Sequence, residues 1–203
     1  IGNHIICDDI KNININDLPD ADVVAGGFPC QGFSLANRMR TLDDERNQLY
    51  KFFYSTIKIK QPKFFIAENV KGILSLGKGE AIKQIVSDFE RAGYITKVNL
   101  VNMANYGVPQ TRQRVLIIGQ RKDLGEKMLF CFPKPSHSKD GNELPRWVSI
   151  KEAIDHFPDP DTQNNVINHI YSAYKVEYRN FTGHRKTDPD KPSPTILARG
   201  NGK

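Results

Sequence analysis

Asp22-Val23-Val24-Ala25-Gly26-Gly27-Phe28-Pro29-Cys30-Gln31-Gly32-Phe33-Ser34 begins as a strand and ends as a loop. Its first part is continuous rather than alternating, the pattern of a strand in a parallel sheet with helices over both faces. Lys63-Phe64-Phe65-Ile66-Ala67 is continuous too, and Ile95 to Val101 and Arg114-Val115-Leu116-Ile117-Ile118-Gly119 are two further apolar runs that read as strands. Helical patterns lie between them. Asp43, Asp44 and Glu45 place acids at a helix start, Leu49, Phe52, Phe53 and Ile57 mark one face, and Gln61-Pro62 stops it. Ile82, Ile85, Val86 and Phe89 form a second stripe between Glu80 and Gly93, the latter a C-terminal cap. Strand, helix, strand, helix, strand predicts an α/β fold with a doubly wound, mostly parallel, Rossmann-like sheet. Only about a dozen residues, with Gly107 and Pro109, separate the last two strands, too few for a crossover helix. Those strands should pair antiparallel and give the sheet an antiparallel edge.

Beyond residue 120 the texture changes: eight of the twelve prolines fall there, and only Ser149-Ile150-Lys151-Glu152-Ala153-Ile154 reads as a capped helix. The expected division is a core over residues 1–125 and part of a small irregular domain over residues 126–203. Two hundred and three residues exclude a peptide hormone or a minimal disulfide scaffold. Three scattered cysteines without a CxxC or CxxH spacing point to free thiols and to no metal. No apolar run approaches the ~18 to 20 residues of a membrane span, and no signal peptide is visible, so a cytoplasmic protein is expected. A net charge of +6 and a pI near 9.2 permit an anionic partner, its basic residues dispersed rather than gathered in a tail.

The loop after the first strand lies at a carboxyl end, where ligands collect in open α/β sheets and glycines allow close backbone approach. Cys30 there is either a small buried hydrophobe or a nucleophile whose thiolate nearby cations would favour. Glu68, in Ala67-Glu68-Asn69-Val70, leaves the sheet on the same edge. It reads as a cap, as a salt-bridge partner, or as a general acid desolvated by Phe64, Phe65 and Ile66. In Gln110-Thr111-Arg112-Gln113-Arg114, alternation puts Arg112 and Arg114 on one face with Gln110. Two guanidinium groups there suit an anion or a polarised carbonyl. Thiol, carboxylate and paired arginines from successive strand ends supply nucleophile, acid and charge stabiliser together.

With these motifs the sequence resembles the cytosine-5 DNA methyltransferases of bacterial type. GFPCQGFS is similar to that family's Pro-Cys motif, AENV to its Glu-Asn-Val motif, and QTRQR to its Gln-x-Arg-x-Arg motif, in order over residues 8 to 120. The resemblance implies that Cys30 attacks carbon-6 of a cytosine flipped out of duplex DNA, and that Glu68 protonates N3. Arg112 and Arg114 would hold the base, and S-adenosylmethionine would give its methyl to carbon-5 and leave as S-adenosylhomocysteine. Flipping costs a few kcal/mol, which a closing protein loop offsets. Phe28, Gln31, Ser34, Asn69 and Gln110 would contact substrate, and Arg38 and Arg40 would reach phosphate. Asp9, Ile10, Gly27, Pro29 and Leu49 would border the cofactor, and Asp188 to Ile196 resembles a DNA-contacting stretch.

The same resemblance places a glycine-rich cofactor loop ahead of Ile1 and further motifs after Lys203. A fragment of a longer monomeric enzyme is therefore expected, inactive in isolation, with a cognate restriction endonuclease as a potential partner. The alternatives are an RNA cytosine-5 methyltransferase on the same fold, a catalytically silent DNA-binding homologue, and a thiol hydrolase pairing Cys30 with His4, His137, His156, His169 or His184.

Overall fold

A computed structural model of the chain describes residues 5–29, 48–127, 129–158, 162, 165–167 and 187–196. The strands are β1 (Val23–Gly27), β2 (Phe64–Val70), β3 (Tyr94–Asn102), β4 (Gln110–Thr111), β5 (Gln113–Arg121) and β6 (Ser193–Pro194). The helices are α1 (Gln48–Lys60), α2 (Glu80–Arg91) and α3 (Ile150–Ile154). Four strands form one sheet in the order β1-β2-β5-β3. β1 runs parallel to β2, and β5 runs antiparallel to β2. The sheet is thus α/β and mixed towards its β3 side. Contacts divide the chain into two compact units, Ile1–Val101 with Gln113–Pro133, and Asn102–Arg112 with Lys134–Lys203.

In the first unit, period-two alternation sends Phe65, Ala67 and Asn69 of β2 to one face, opposite Gly119, Ile117 and Val115 of β5. That face packs against Ile57 of α1 and Ile85 and Phe89 of α2. Phe65 is fully buried, 4.2 Å from the Phe89 ring and 5.2 Å from Tyr94 between centroids. Its ring occupies the space a side chain at 119 would need: a Cβ there would stand 1.9 Å from Phe65 Cε1. α2 buries Ala81, Ile85, Asp88 and Phe89, and Gly93 follows it with a φ of 97°, the left-handed residue expected past a helix end.

Two expectations change. The buried stripe of α1 is turned by one residue, so Tyr50 and Ile57 are buried while Leu49 is exposed. Tyr50 goes inside because its hydroxyl finds a buried partner there, donating to Asp88 Oδ2 at 2.8 Å. Helices also do not cover both faces among the described residues. On the other face Val23 is 49% exposed, and Val23, Phe64, Ile66, Ile118, Leu129 and Phe130 line an apolar groove of about 370 Å³. The runs at Val23 and Phe64 lack polar alternation because that second face is apolar as well.

The second unit is held largely by turns. Gly107, with φ 81°, closes the Met103–Tyr106 turn against the His137 ring, whose Cε1 would lie 2.9 Å from a Cβ at that position. Trp147 Nε1 donates to Asn105 Oδ1 at 2.9 Å. Ser149 and Glu152 complete the capping box before α3. The stretch from Asp188 to Ile196 is spent on internal ties: Lys191 and Pro189 carbonyls accept from Ile150 and Lys151, and β6 pairs in parallel with β4.

Two outcomes follow from this packing. Gly119→Ala should destabilise the protein by about 1 to 3 kcal/mol, the usual range for overpacking, read from denaturant midpoints. The second concerns alkaline pH. The Tyr94 hydroxyl is buried and donates to the Pro62 carbonyl at 2.7 Å; burial pushes it up to about 12. Below pH ~10 both folded and unfolded states keep this proton, and the contribution is fully present. Between pH ~10 and ~12 only the folded state keeps it, so stability falls as pH rises through that window. Urea unfolding at about pH 9 and about pH 11.5 should show the loss, smaller in Tyr94→Phe.

Candidate active site

The parallel ladder of β1 and β2 closes with Gly27 opposite Glu68. A Cβ at residue 27 would stand 3.2 Å from Glu68 Oε2, so the missing side chain leaves the carboxylate its place. Alternation puts Glu68 on the face of Phe64 and Ile66, and antiparallel pairing puts Leu116 opposite it and Arg114 opposite Val70. Arg114 thus reaches back along the same face, with Nε 2.6 Å from Glu68 Oε1. The N–H does not aim at that oxygen, so the contact is a charge pair rather than an aligned hydrogen bond. Arg114 Nη1 donates to the Gln113 carbonyl at 2.8 Å, and the arginine side chain is only 14% exposed.

One expectation about Glu68 is corrected. Phe64 and Ile66 share its face while Phe65 points to the opposite one, and the side chain keeps 43% of its exposure, so the carboxyl is not enclosed by this apolar run. The salt-bridge reading describes the geometry here.

Asn69, 3% exposed, lies on the core side. Its Nδ2 donates to the Phe28 carbonyl at 2.8 Å, and its Oδ1 accepts from Val70 N at 2.9 Å. Both ends of the amide are committed to backbone, which fixes which way the group faces. Phe28 itself, assigned to substrate by resemblance, is 5% exposed, with its ring 5.1 Å from Tyr50 and 5.7 Å from Phe53. The chain leaving β1 is therefore held by its ring in the core and by its carbonyl on β2.

Gly27 and Pro29 are exposed, and Leu49 is 37% exposed. Asp9 is exposed and caps the Ile10–Asn12 turn by accepting from Lys11 N at 3.0 Å, with Ile10 half-buried. Gln110 belongs to β4 and Arg114 to β5, with Arg112 between the two strands. Arg112 N donates to the Gln110 carbonyl at 2.9 Å, a tight turn that interrupts the strand. Strict alternation therefore does not carry from Gln110 through Arg112 to Arg114. Cys30, Gln31, Ser34, Arg38 and Arg40 lie outside the described residues. Among the described residues no group of three His, Cys, Asp or Glu could hold a metal ion, and no helix is long and apolar enough to cross a membrane.

A feature the motifs do not carry is the Tyr50–Asp88 pair under Phe28. Its trace in the sequence is a carboxylate between Ile85 and Phe89, on the apolar stripe of α2.

The mixed α/β sheet, with a glycine-ended first strand, a carboxylate beside it and an arginine from the antiparallel strand, is of the Rossmann-like class. Residues 2–196 match the family model described as C-5 cytosine-specific DNA methylase. The chain belongs to that family. It is 39% identical over 226 residues to the type II methyltransferase M.NgoFVII of Neisseria gonorrhoeae, a match covering 100% of this chain and 60% of that protein. It is 44% identical over 201 residues to M.FnuDI of Fusobacterium nucleatum, covering 97% and 58%. To M.BspRI of Lysinibacillus sphaericus it is 45% identical over 154 residues, covering 75% and 35%. The chain thus spans 60% or less of the length of each of these relatives. Among solved structures, a prophage-encoded protein of E. coli superposes with a TM-score of 0.54 at 29% identity, covering 75% of this chain and 41% of that one.

Replacing Asn69 by Ala would leave the Phe28 carbonyl buried without its donor. The expected loss is about 1 to 3 kcal/mol, measured by chemical denaturation, with Val70→Ala, at an exposed position, changing stability less.

Proposed function

We propose that the protein is an S-adenosylmethionine-dependent DNA (cytosine-5)-methyltransferase acting through a covalent adduct of Cys30 with a flipped cytosine. The observation that carries this reading is the placement of Glu68 at the end of β2, level with Gly27 and charge-paired with Arg114. Cys30 follows Gly27 by three residues along the chain.

The chemistry needs both groups. Carbon-5 of cytosine is a poor nucleophile while the ring is aromatic. In the proposed sequence the Cys30 thiolate adds to carbon-6 as Glu68 delivers a proton to N3, leaving electron density on carbon-5. After methylation, loss of the carbon-5 proton to solvent, breakage of the Sγ–C6 bond and return of the N3 proton to Glu68 restore the ring, the thiolate and the acid. Partial exposure of Glu68 leaves it a route to take its proton from solvent, and the off-axis contact with Arg114 can give way when a base enters. Arg114, and Arg112 by resemblance, would hold the base.

The residues present fit the cofactor. Gly27 offers bare, exposed backbone beside a carboxylate, and Asp9 keeps an exposed carboxylate with Ile10 beside it, suited to an adenine amine and ring. S-adenosylmethionine supplies the methyl group when bound. Pro29 and Leu49, both exposed, are proposed to border it. Gln31, Ser34, Gln110, Arg38 and Arg40 are proposed contacts to base and phosphate, with residues 1–125 as the catalytic core and 126–203 as part of the region that reads the DNA. The type II naming of the relatives supports a place in restriction and modification.

The test is bisulfite sequencing of duplex DNA treated with the full-length protein and S-adenosylmethionine, with tRNA in parallel. Methylated cytosines at a fixed DNA motif are expected, and methylation of tRNA alone would overturn the reading. Cys30→Ser should abolish both methylation and trapping on 5-fluorocytosine DNA. Glu68→Gln should slow transfer by roughly 10²- to 10⁴-fold, the usual share of a positioned acid.

A further inference from the structure

Tyr50 is 2% exposed and Asp88 4%. The Tyr50 hydroxyl donates to Asp88 Oδ2 at 2.8 Å, and Asp88 Oδ1 accepts from Gln84 Nε2 at 2.9 Å and pairs with Arg91. Burial first, and then the bond to Asp88, push the Tyr50 hydroxyl far above the ordinary tyrosine range, so it stays a neutral donor. A core that needed only bulk between α1 and α2 would be served by two apolar residues without the desolvation of a carboxylate. What the polar pair adds is direction: a hydrogen bond sets the angle at which the tyrosine ring stands.

That ring meets Phe28 edge-on, with centroids 5.1 Å apart and planes at 62°. Phe28 lies two residues before Cys30, and its carbonyl is already held by Asn69. The backbone of Phe28 is thus fixed from β2, while its side chain is fixed from α1.

We infer that Tyr50, oriented by Asp88, is a positioning residue for the proposed reaction, its ring the seat on which Phe28 sets the course of the chain towards Cys30. The inference rests on the function proposed above. It gives Tyr50 a role in the rate of adduct formation rather than in holding DNA.

The experiment compares full-length protein carrying Tyr50→Leu, Tyr50→Phe and, as a core control, Tyr94→Leu. Tyr94 is equally buried but touches Phe65 and the Pro62 carbonyl. The readouts are the single-turnover rate of adduct formation on 5-fluorocytosine DNA, scaled to trappable protein, and KM for duplex DNA. Small displacements of a reacting group cost up to about a hundredfold, so Tyr50→Leu should slow the adduct step about tenfold or more with KM within about twofold. Tyr50→Phe, which keeps the ring but loses its tie to Asp88, should fall between Tyr50→Leu and the unsubstituted protein, and Tyr94→Leu should keep its rate per folded molecule. Tyr50→Met takes the place of the leucine variant if that one does not fold. An unchanged rate in Tyr50→Leu, a change confined to KM, an equal slowing in Tyr94→Leu, or a phenylalanine variant either as slow as leucine or as fast as the unsubstituted protein would each overturn the inference. If the unsubstituted protein neither forms the adduct nor transfers a methyl group, the proposed function fails first. An active protein with an indifferent Tyr50 sinks the positioning role alone.

Discussion

Phe65 lying on Gly119 fixes the register of the β2–β5 ladder. Only a residue without a side chain can stand opposite that ring, so sliding β5 by one position would bring Ile118 or Gln120 against it. A slip of one residue would also exchange the faces of the whole strand. In the register that Phe65 permits, Arg114 lies on the face of Glu68, and Val115 and Ile117 point into the core. The charge pair at the end of the sheet is thus a consequence of packing at its middle, and the parallel pairing of β1 with β2 brings Gly27 alongside.

Around that frame the chain divides its labour between two faces of β2. Glu68 looks to the half-open side, where a charged group keeps part of its hydration. Asn69, the next residue, looks to the core side and spends its amide on backbone. The adjacent pair therefore does two jobs that a single face could not accommodate: one side chain meets solvent and a guanidinium, while the other ties β2 to the segment leaving β1.

Much of the fold was legible in the sequence. The four strands fall where apolar side chains cluster, because a buried face leaves polar side chains without partners. Gly93 and Ser149 mark helix ends through local chemistry that does not depend on the rest of the chain. The stripe of α1 was misjudged by one residue because tyrosine counts as polar until its hydroxyl finds a partner, and Asp88 is 38 residues away. The electrostatic setting of Glu68 was misjudged because alternation divides Phe64, Phe65 and Ile66 between two faces, and because Arg114 arrives from a strand 46 positions further on. Of the candidate site, Glu68 lies beside Gly27 and is charge-paired with Arg114, while Cys30 lies outside the described residues. Strand periodicity could not relate Arg112 to Arg114, since the backbone turns at Arg112.

The apolar groove beside Val23 and Leu129 also governs how this polypeptide behaves as a colloid. A formal charge of +6 keeps copies apart at neutral pH, but the charge vanishes near pH 9.2 while the groove is unchanged. With repulsion gone, or screened by concentrated salt, this groove, apolar among the described residues, favours association between copies. Buffers well below the isoelectric point and of modest ionic strength are therefore the ones that keep the chain dispersed.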